Sequence, residues 1–170
     1  KFIEDQELHP VAILLTHGHF DHVMAVDSVR AAYHIPVYAA EAEKETMQDA
    51  SLNLSINMGG AMLSIEADHW LKDGETITLL DQEVRCILTP GHTVGGMCFY
   101  FPRACMLFSG DTLFQESVGR TDFPTGSSRE LIRSVREKLL VLPEAVRVYP
   151  GHGLMTTIRD EQMFNPYAVQ

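Results

Sequence analysis

The sequence has no apolar run long enough to cross a bilayer as a helix, which sets aside that class of membrane protein. No stretch reads as a cleavable export signal either. Positive charge is scarce: Lys and Arg total 13 against 23 Asp and Glu, for a formal net charge of -10. A groove that holds nucleic acid by bulk charge is therefore not expected. Cysteine is scarce too, and Cys86, Cys98 and Cys105 form an odd set, in predicted strands, without metal-binding spacing. They read as buried thiols of a protein kept in a reducing cytoplasm, not as a disulfide framework. Internal repeats and low-complexity tracts are missing, and 45% hydrophobic residues fit one globular domain over residues 1–170.

Histidine, by contrast, is concentrated. Thr16-His17-Gly18-His19-Phe20-Asp21-His22 places three imidazoles and a carboxylate within six consecutive residues. Packing titratable groups this closely is costly unless something binds them. Neutral imidazoles and carboxylates suit zinc or iron. The His-x-His spacing cannot come from one helical face, where partners lie three or four residues apart, so the cluster is expected on a loop. Four candidate ligands exceed the three that a catalytic zinc usually takes from protein, which points to two metals sharing a site.

Further ligands follow predicted strands. Val11–Leu15 feeds the first cluster, Val84–Leu88 leads to Thr89-Pro-Gly-His92, Met106–Ser109 to Gly110-Asp111, and Val146–Tyr149 to Pro150-Gly-His152. Each is an apolar run closed by a turn signal and a metal-binding side chain. In layered α/β folds such loops converge beyond strand ends, and glycines beside the ligands let the backbone approach closely. A structural zinc would be closed and richer in cysteine.

These motifs carry a resemblance. The His-x-His-x-Asp-His cluster, Pro-Gly-His-Thr, Gly-Asp and the late Gly-His resemble, in order, those of the metallo-β-lactamase superfamily. Within it the chain is similar to small bacterial members of the glyoxalase II (hydroxyacylglutathione hydrolase) group, including the run Leu113–Pro124. The resemblance implies an α/β fold, an αββα sandwich. It also implies His17, His19 and His92 on one metal, Asp21, His22 and His152 on a second, and Asp111 between them, with a bridging hydroxide. Zinc is the first choice of ion, with iron or manganese accepted by the same donors. Relatives of this kind begin with strands that precede the first helix, and Lys1 falls inside that helix, so the N-terminal strands are expected to be missing.

The chemistry expected is thioester hydrolysis, by resemblance of a small acyl-thiol of the S-lactoylglutathione type. A thiolate leaves without strong protonation, and Asp21 or Asp111 can accept the nucleophile's proton. The alternative by resemblance is a persulfide dioxygenase with a single iron, which shares a Gly-Arg-Thr-Asp run. A β-lactamase of the most familiar subclass would place cysteine at position 111, and a nuclease would bring a basic surface.

Other expectations concern the frame. Helices are predicted at Lys1–Leu8, Asp21–Tyr33 and Glu41–Ala50, and behind a capping box at Ser127-Ser-Arg-Glu130. Hairpins are predicted across Asp81-Gln82 and Pro102-Arg103. Met58–Met62 reads as a loop packed on the core or a mobile cover. His9, His34 and His69 read as background residues, and Arg120 with Asp122 as a surface ion pair or a substrate contact. Thr16, Thr93 and Thr112 flank the ligands.

Overall fold

The computed structural model describes residues 1–168; the side chains of Met58 and Gly59, within the Met58–Met62 stretch, lie outside the described residues. Strands β1 (Ile13–Leu14), β2 (Val37–Ala40) and β3 (His69–Leu71) form a parallel sheet in that order. The chain then enters β4 (Thr76–Leu79), β5 (Gln82–Leu88), β6 (Met97–Phe101) and β7 (Met106–Gly110). A small hairpin follows, β8 (Leu113–Phe114) with β9 (Ser117–Val118), and later β10 (Arg147–Pro150) and β11 (Thr156–Thr157). The second sheet runs β11-β10-β7-β6-β5-β4.

Alternation along β6 shows how the layers arise. Met97, Phe99 and Phe101 face the other sheet, where they meet Ala40 and Leu71 in company with Val84 and Cys86 of the neighbouring β5. Cys98 and Tyr100 face outward, onto Leu107, Val135, Leu139 and Ile158. A strand buried on both faces reads as a continuous apolar run, as Met97–Phe101 does. The outer layer comes from α5 (Ser128–Ser134), a wider turn at Val135–Leu139, and α6 (Ile158–Phe164). On the far side of the first sheet lie α2 (Phe20–Val23), α3 (Val26–Tyr33) and α4 (Lys44–Gln48). There Val23, Val26 and Met47 pack on Leu15, Val37 and Ala39. Helix, sheet, sheet and helix are thus joined by three apolar interfaces, the αββα sandwich expected.

Several local expectations change. The first helix, α1, covers Phe2–Asp5 and not Lys1–Leu8; it has no side-chain cap, and Glu7 at φ 50° ends it. Asp21–Tyr33 is two helices: α2 closes with the Met24 N–H on Phe20 O at 2.8 Å, and α3 starts at Val26 after Ala25 at φ -99° and ψ -3°. Glu41–Ala50 is a 3-10 turn, Glu41–Glu43, followed by the short α4. Leu80 and Asp81, at φ 51° and 56°, form the β4–β5 turn instead of Asp81-Gln82. Two left-handed residues match the twist of a hairpin, so register prevails over the ~1–2 kcal/mol each left-handed residue costs. Cys105 is neither in a strand nor buried: it sits exposed in the β6–β7 turn at φ 51°. Ser127 caps α5 as predicted, its Oγ accepting the Glu130 N–H, but its own N–H donates to Gly91 O at 2.7 Å, so the capping box is half formed. No described helix is long and apolar enough to cross a membrane.

Candidate metal centre

Strand direction puts the ligand-bearing loops on one rim. β5 is antiparallel to β6, β6 to β7, and β7 is parallel to β10, so β5, β7 and β10 end at the same edge. His92, Asp111 and His152 follow those ends. β1 delivers His17 and His19 from the other sheet, where Thr16 O accepts the Met97 N–H at 2.8 Å and ties that loop to the base of β6. Asp21 and His22 lie in the first turn of α2.

All seven sequence-predicted residues come together. Among the described residues, three groups bring ligand atoms within 4.8 Å of one another: His17, His19 and His92; Asp21, His22 and His152; and His17, His22 and Asp111. His19 Nδ1 is 2.9 Å from His92 Nε2, and His22 Nε2 is 3.3 Å from His152 Nε2. Asp21 Oδ2 is 3.2 Å from His152 Nε2. Asp111 reaches both groups, with Oδ1 3.5 Å from His22 Nε2 and Oδ2 3.6 Å from the Nε2 atoms of His92 and His152.

Burial governs the electrostatics. It holds His17 well below the usual imidazole range, helped by the surrounding imidazoles, and with His92 it brings His19 down to about 4. It also lowers His22, against the pull of Asp111 and Asp21. The Asp111 carboxyl is pushed up by burial and held back by the histidines. At neutral pH His17, His19 and His22 therefore keep free lone pairs, the form that binds a metal.

A metal fits the donor set. His17 Nε2, His19 Nε2 and Asp111 Oδ1 are buried with no hydrogen-bond partner. Each such group costs ~1–3 kcal/mol, a sizeable share of the ~5–15 kcal/mol that holds a domain folded. A divalent cation held by these donors would offset this penalty.

Supporting contacts fix the rings. His92 Nδ1 lies 2.7 Å from the Arg120 carbonyl, which can only accept, so Nδ1 carries a proton and the Nε2 side of the ring is turned toward the cluster as the ligand atom. Arg120 thus contributes through its backbone. Its side chain pairs with Asp122 through two 2.7 Å hydrogen bonds, which pull that carboxyl down to about 2, and it stacks 3.9 Å above Phe123. Arg120 and Phe123 also line the cleft of about 490 Å³ beside the ligands, with Phe20, Leu54, Phe114 and Val118. Thr112 Oγ1 meets Thr89 Oγ1 at 2.9 Å, Thr16 Oγ1 lies 3.3 Å from His17 Nδ1, and the Thr93 hydroxyl is buried beside the Glu43 carboxylate.

The background histidines stay out of the site. His9 is exposed, His34 ends α3 at φ 54°, and His69 stacks on Tyr38 at 4.4 Å. Two supporting residues escaped the sequence reading. Asn53, fully buried, donates to Leu63 O at 2.9 Å and accepts the Ser55 N–H at 3.0 Å, which packs this part of Ser51–Asp68 on the core. Glu43 is the second, and nothing in the sequence separates it from Glu41 and Glu45.

Comparison with known proteins accords with this geometry. The family model described as the metallo-beta-lactamase superfamily matches residues 1–152. The hydroxyacylglutathione hydrolase GloC of Haemophilus influenzae is 36% identical over 97% of this chain and 79% of its own length. The crystal structure of the BLEG-1 B3 metallo-beta-lactamase superposes with a TM-score of 0.93 at 40% identity, covering 99% of this chain and 82% of that one. TTHA1623, crystallised in a di-iron-bound form, gives a TM-score of 0.85 at 36% identity, covering 98% and 81%. With a model that spans most of its length and a shared αββα frame, the chain belongs to the metallo-β-lactamase superfamily.

Proposed function

We propose that the protein is a two-metal hydrolase of small acyl-thiols of the S-lactoylglutathione type, releasing a hydroxyacid and a free thiol. The observation that carries the reading is the meeting of five imidazoles and two carboxylates from loops of both sheets, with buried donor atoms left unpartnered. His17, His19 and His92 would hold one cation, Asp21, His22 and His152 the other, and Asp111 would join them. Zinc is the ion we assign, with iron or manganese as substitutes that the same donors accept. Bound cations would supply a nucleophilic hydroxide at neutral pH and polarise the substrate carbonyl.

The chain's own residues do the rest. The Arg120 carbonyl keeps the His92 ring in one tautomer. Asp21, the more exposed carboxylate, or Asp111 takes the proton that the nucleophile releases. Phe20, Leu54, Phe114, Val118 and Phe123 wall the cleft and limit water around the reacting carbonyl. A thiolate needs little protonation to leave, so no separate general acid is required. The hydrolase name of the Haemophilus relative supports this choice, whereas the BLEG-1 name favours a β-lactam, another acyl carbonyl open to the same attack.

The test pairs elemental analysis with a substrate panel. Metal-loaded protein should contain two metal atoms per chain and hydrolyse S-lactoylglutathione or another acyl-thiol faster than a chromogenic β-lactam. Protein that carries both metals and cleaves no acyl-thiol would sink the assignment.

A further inference from the structure

Glu43 has one of the least accessible side chains in the molecule, 1% exposed, at the end of the 3-10 turn Glu41–Glu43. Its two oxygens are divided between two loops. Oε1 accepts the Gly18 N–H at 2.9 Å, and Oε2 accepts the Gly95 N–H at 2.7 Å. Gly18 stands between His17 and His19, and Gly95 follows His92 by three residues. One carboxylate therefore spans the loops that carry the three buried imidazoles.

The backbone is shaped for this contact. A Cβ on Gly95 would collide with the backbone of Glu43, and one on Gly18 would come within 2.8 Å of Met47 Cγ and 3.1 Å of Met47 N. Both loops are thus pressed onto the segment from Glu43 to Met47, at Gly95 closer than a side chain would allow and at Gly18 tightly enough that Met47 would have to shift. Burying a carboxylate costs several kcal/mol, and burial pushes Glu43 up in pKa while the Gly18 amide, the Thr93 hydroxyl and the Gly95 amide hold it back. Two amides in a core could be satisfied by ordinary turn carbonyls. What a carboxylate adds is a rigid fork with two acceptors, joining segments 25 and 52 residues away in the chain.

We propose that Glu43 is a positioning residue: it clamps the His17–His19 loop to the His92 loop and so sets the spacing of the three imidazoles. The inference rests on the metal-centre reading above. Glu161 offers a comparison. It is also fully buried, with Oε2 accepting the Glu116 N–H at 2.9 Å and the Asn165 side-chain amide at 2.7 Å, and Oε1 the Thr156 hydroxyl, but none of these partners belongs to a ligand loop. A role in stability alone would make the two glutamates equivalent.

Cobalt(II) is the probe, because its visible absorption reports ligand geometry. Metal-free wild type, Glu43→Gln and Glu161→Gln are titrated with cobalt(II), and their folding is checked by circular dichroism. In Glu43→Gln the amide NH2 faces one of the two backbone N–H groups, so one tie is lost. The tighter cobalt ion should then bind at least about tenfold more weakly, with an altered visible spectrum. Glu161→Gln should lower the melting temperature while leaving cobalt affinity and spectrum as in wild type. Folded Glu43→Gln with wild-type affinity and spectrum would overturn the proposal. Wild type that binds no cobalt would overturn the metal-centre reading itself, and this inference with it. If Glu43→Gln does not fold, amide exchange in the wild type decides: slow exchange at Gly18 and Gly95 supports the clamp, and rapid exchange at either refutes it.

Discussion

His17, His19 and His92 are 2%, 3% and 4% exposed, whereas the Asp21 and His152 side chains are 39% and 56% exposed. The two halves of the cluster differ in construction as well. The buried half is gripped from several sides, by Glu43, by the Arg120 carbonyl and by the Gly91 carbonyl that binds the head of α5. The exposed half sits on the single turn of α2 and on the loop after β10. Two cations held by these halves should therefore not be equivalent. The inner one would be a near-permanent part of the fold, and the outer one would exchange with solvent, with Asp111 coupling the two.

The change that tests this contrast hardest is Asp111→Asn, since Asp111 serves both halves. It should lower acyl-thiol turnover by about two to three orders of magnitude, measured at saturating metal. Next come the paired variants His17→Ala and His152→Ala. The first should empty both positions, and the second should retain one metal atom per chain by elemental analysis; equal losses would erase the distinction. Chelator titration of the wild type should show two phases, with activity lost in the first and the melting temperature falling mainly in the second.

A pH series on the metal-free protein sharpens the same contrast. The His19 pKa is about 4 in the fold against 6.5 for a free imidazole, and His17 is also lowered, so the unfolded chain takes up protons first as pH falls. Stability contributed by these rings is present above about pH 6.5 and is lost progressively toward pH 4. The raised Asp111 opposes this in part. The melting temperature of the metal-free protein should drop across that window, and a flat profile would mean the rings are not desolvated. Arg120→Ala should have the smallest effect, a few-fold rise in KM with two metals retained, because the carbonyl that orients His92 remains.

The site was more legible in the sequence than the frame around it. Ligands placed just after apolar runs announce strand-end loops, because turn residues and metal-binding side chains share few other reasons to coincide. What the sequence hides is set by tertiary contact. Leu80 and Asp81 turn left-handed because β4 and β5 pair in one register, Thr78 opposite Glu83 and Leu79 opposite Gln82, not because leucine favours that conformation. Cys105 is exposed because the β6–β7 turn extends to it, two residues beyond the Pro102-Arg103 turn that the sequence suggests. Glu43 sits among charged neighbours that look identical in sequence, and its role follows only from the two loops folded over it.

If seven side chains build one centre for two cations, metal content reports it. Purified protein should hold two metal atoms per chain, and acyl-thiol hydrolysis should rise and fall with the second. A single iron per chain, with oxygen consumed on addition of a persulfide, would rule out the two-metal hydrolase and identify an oxygenase instead.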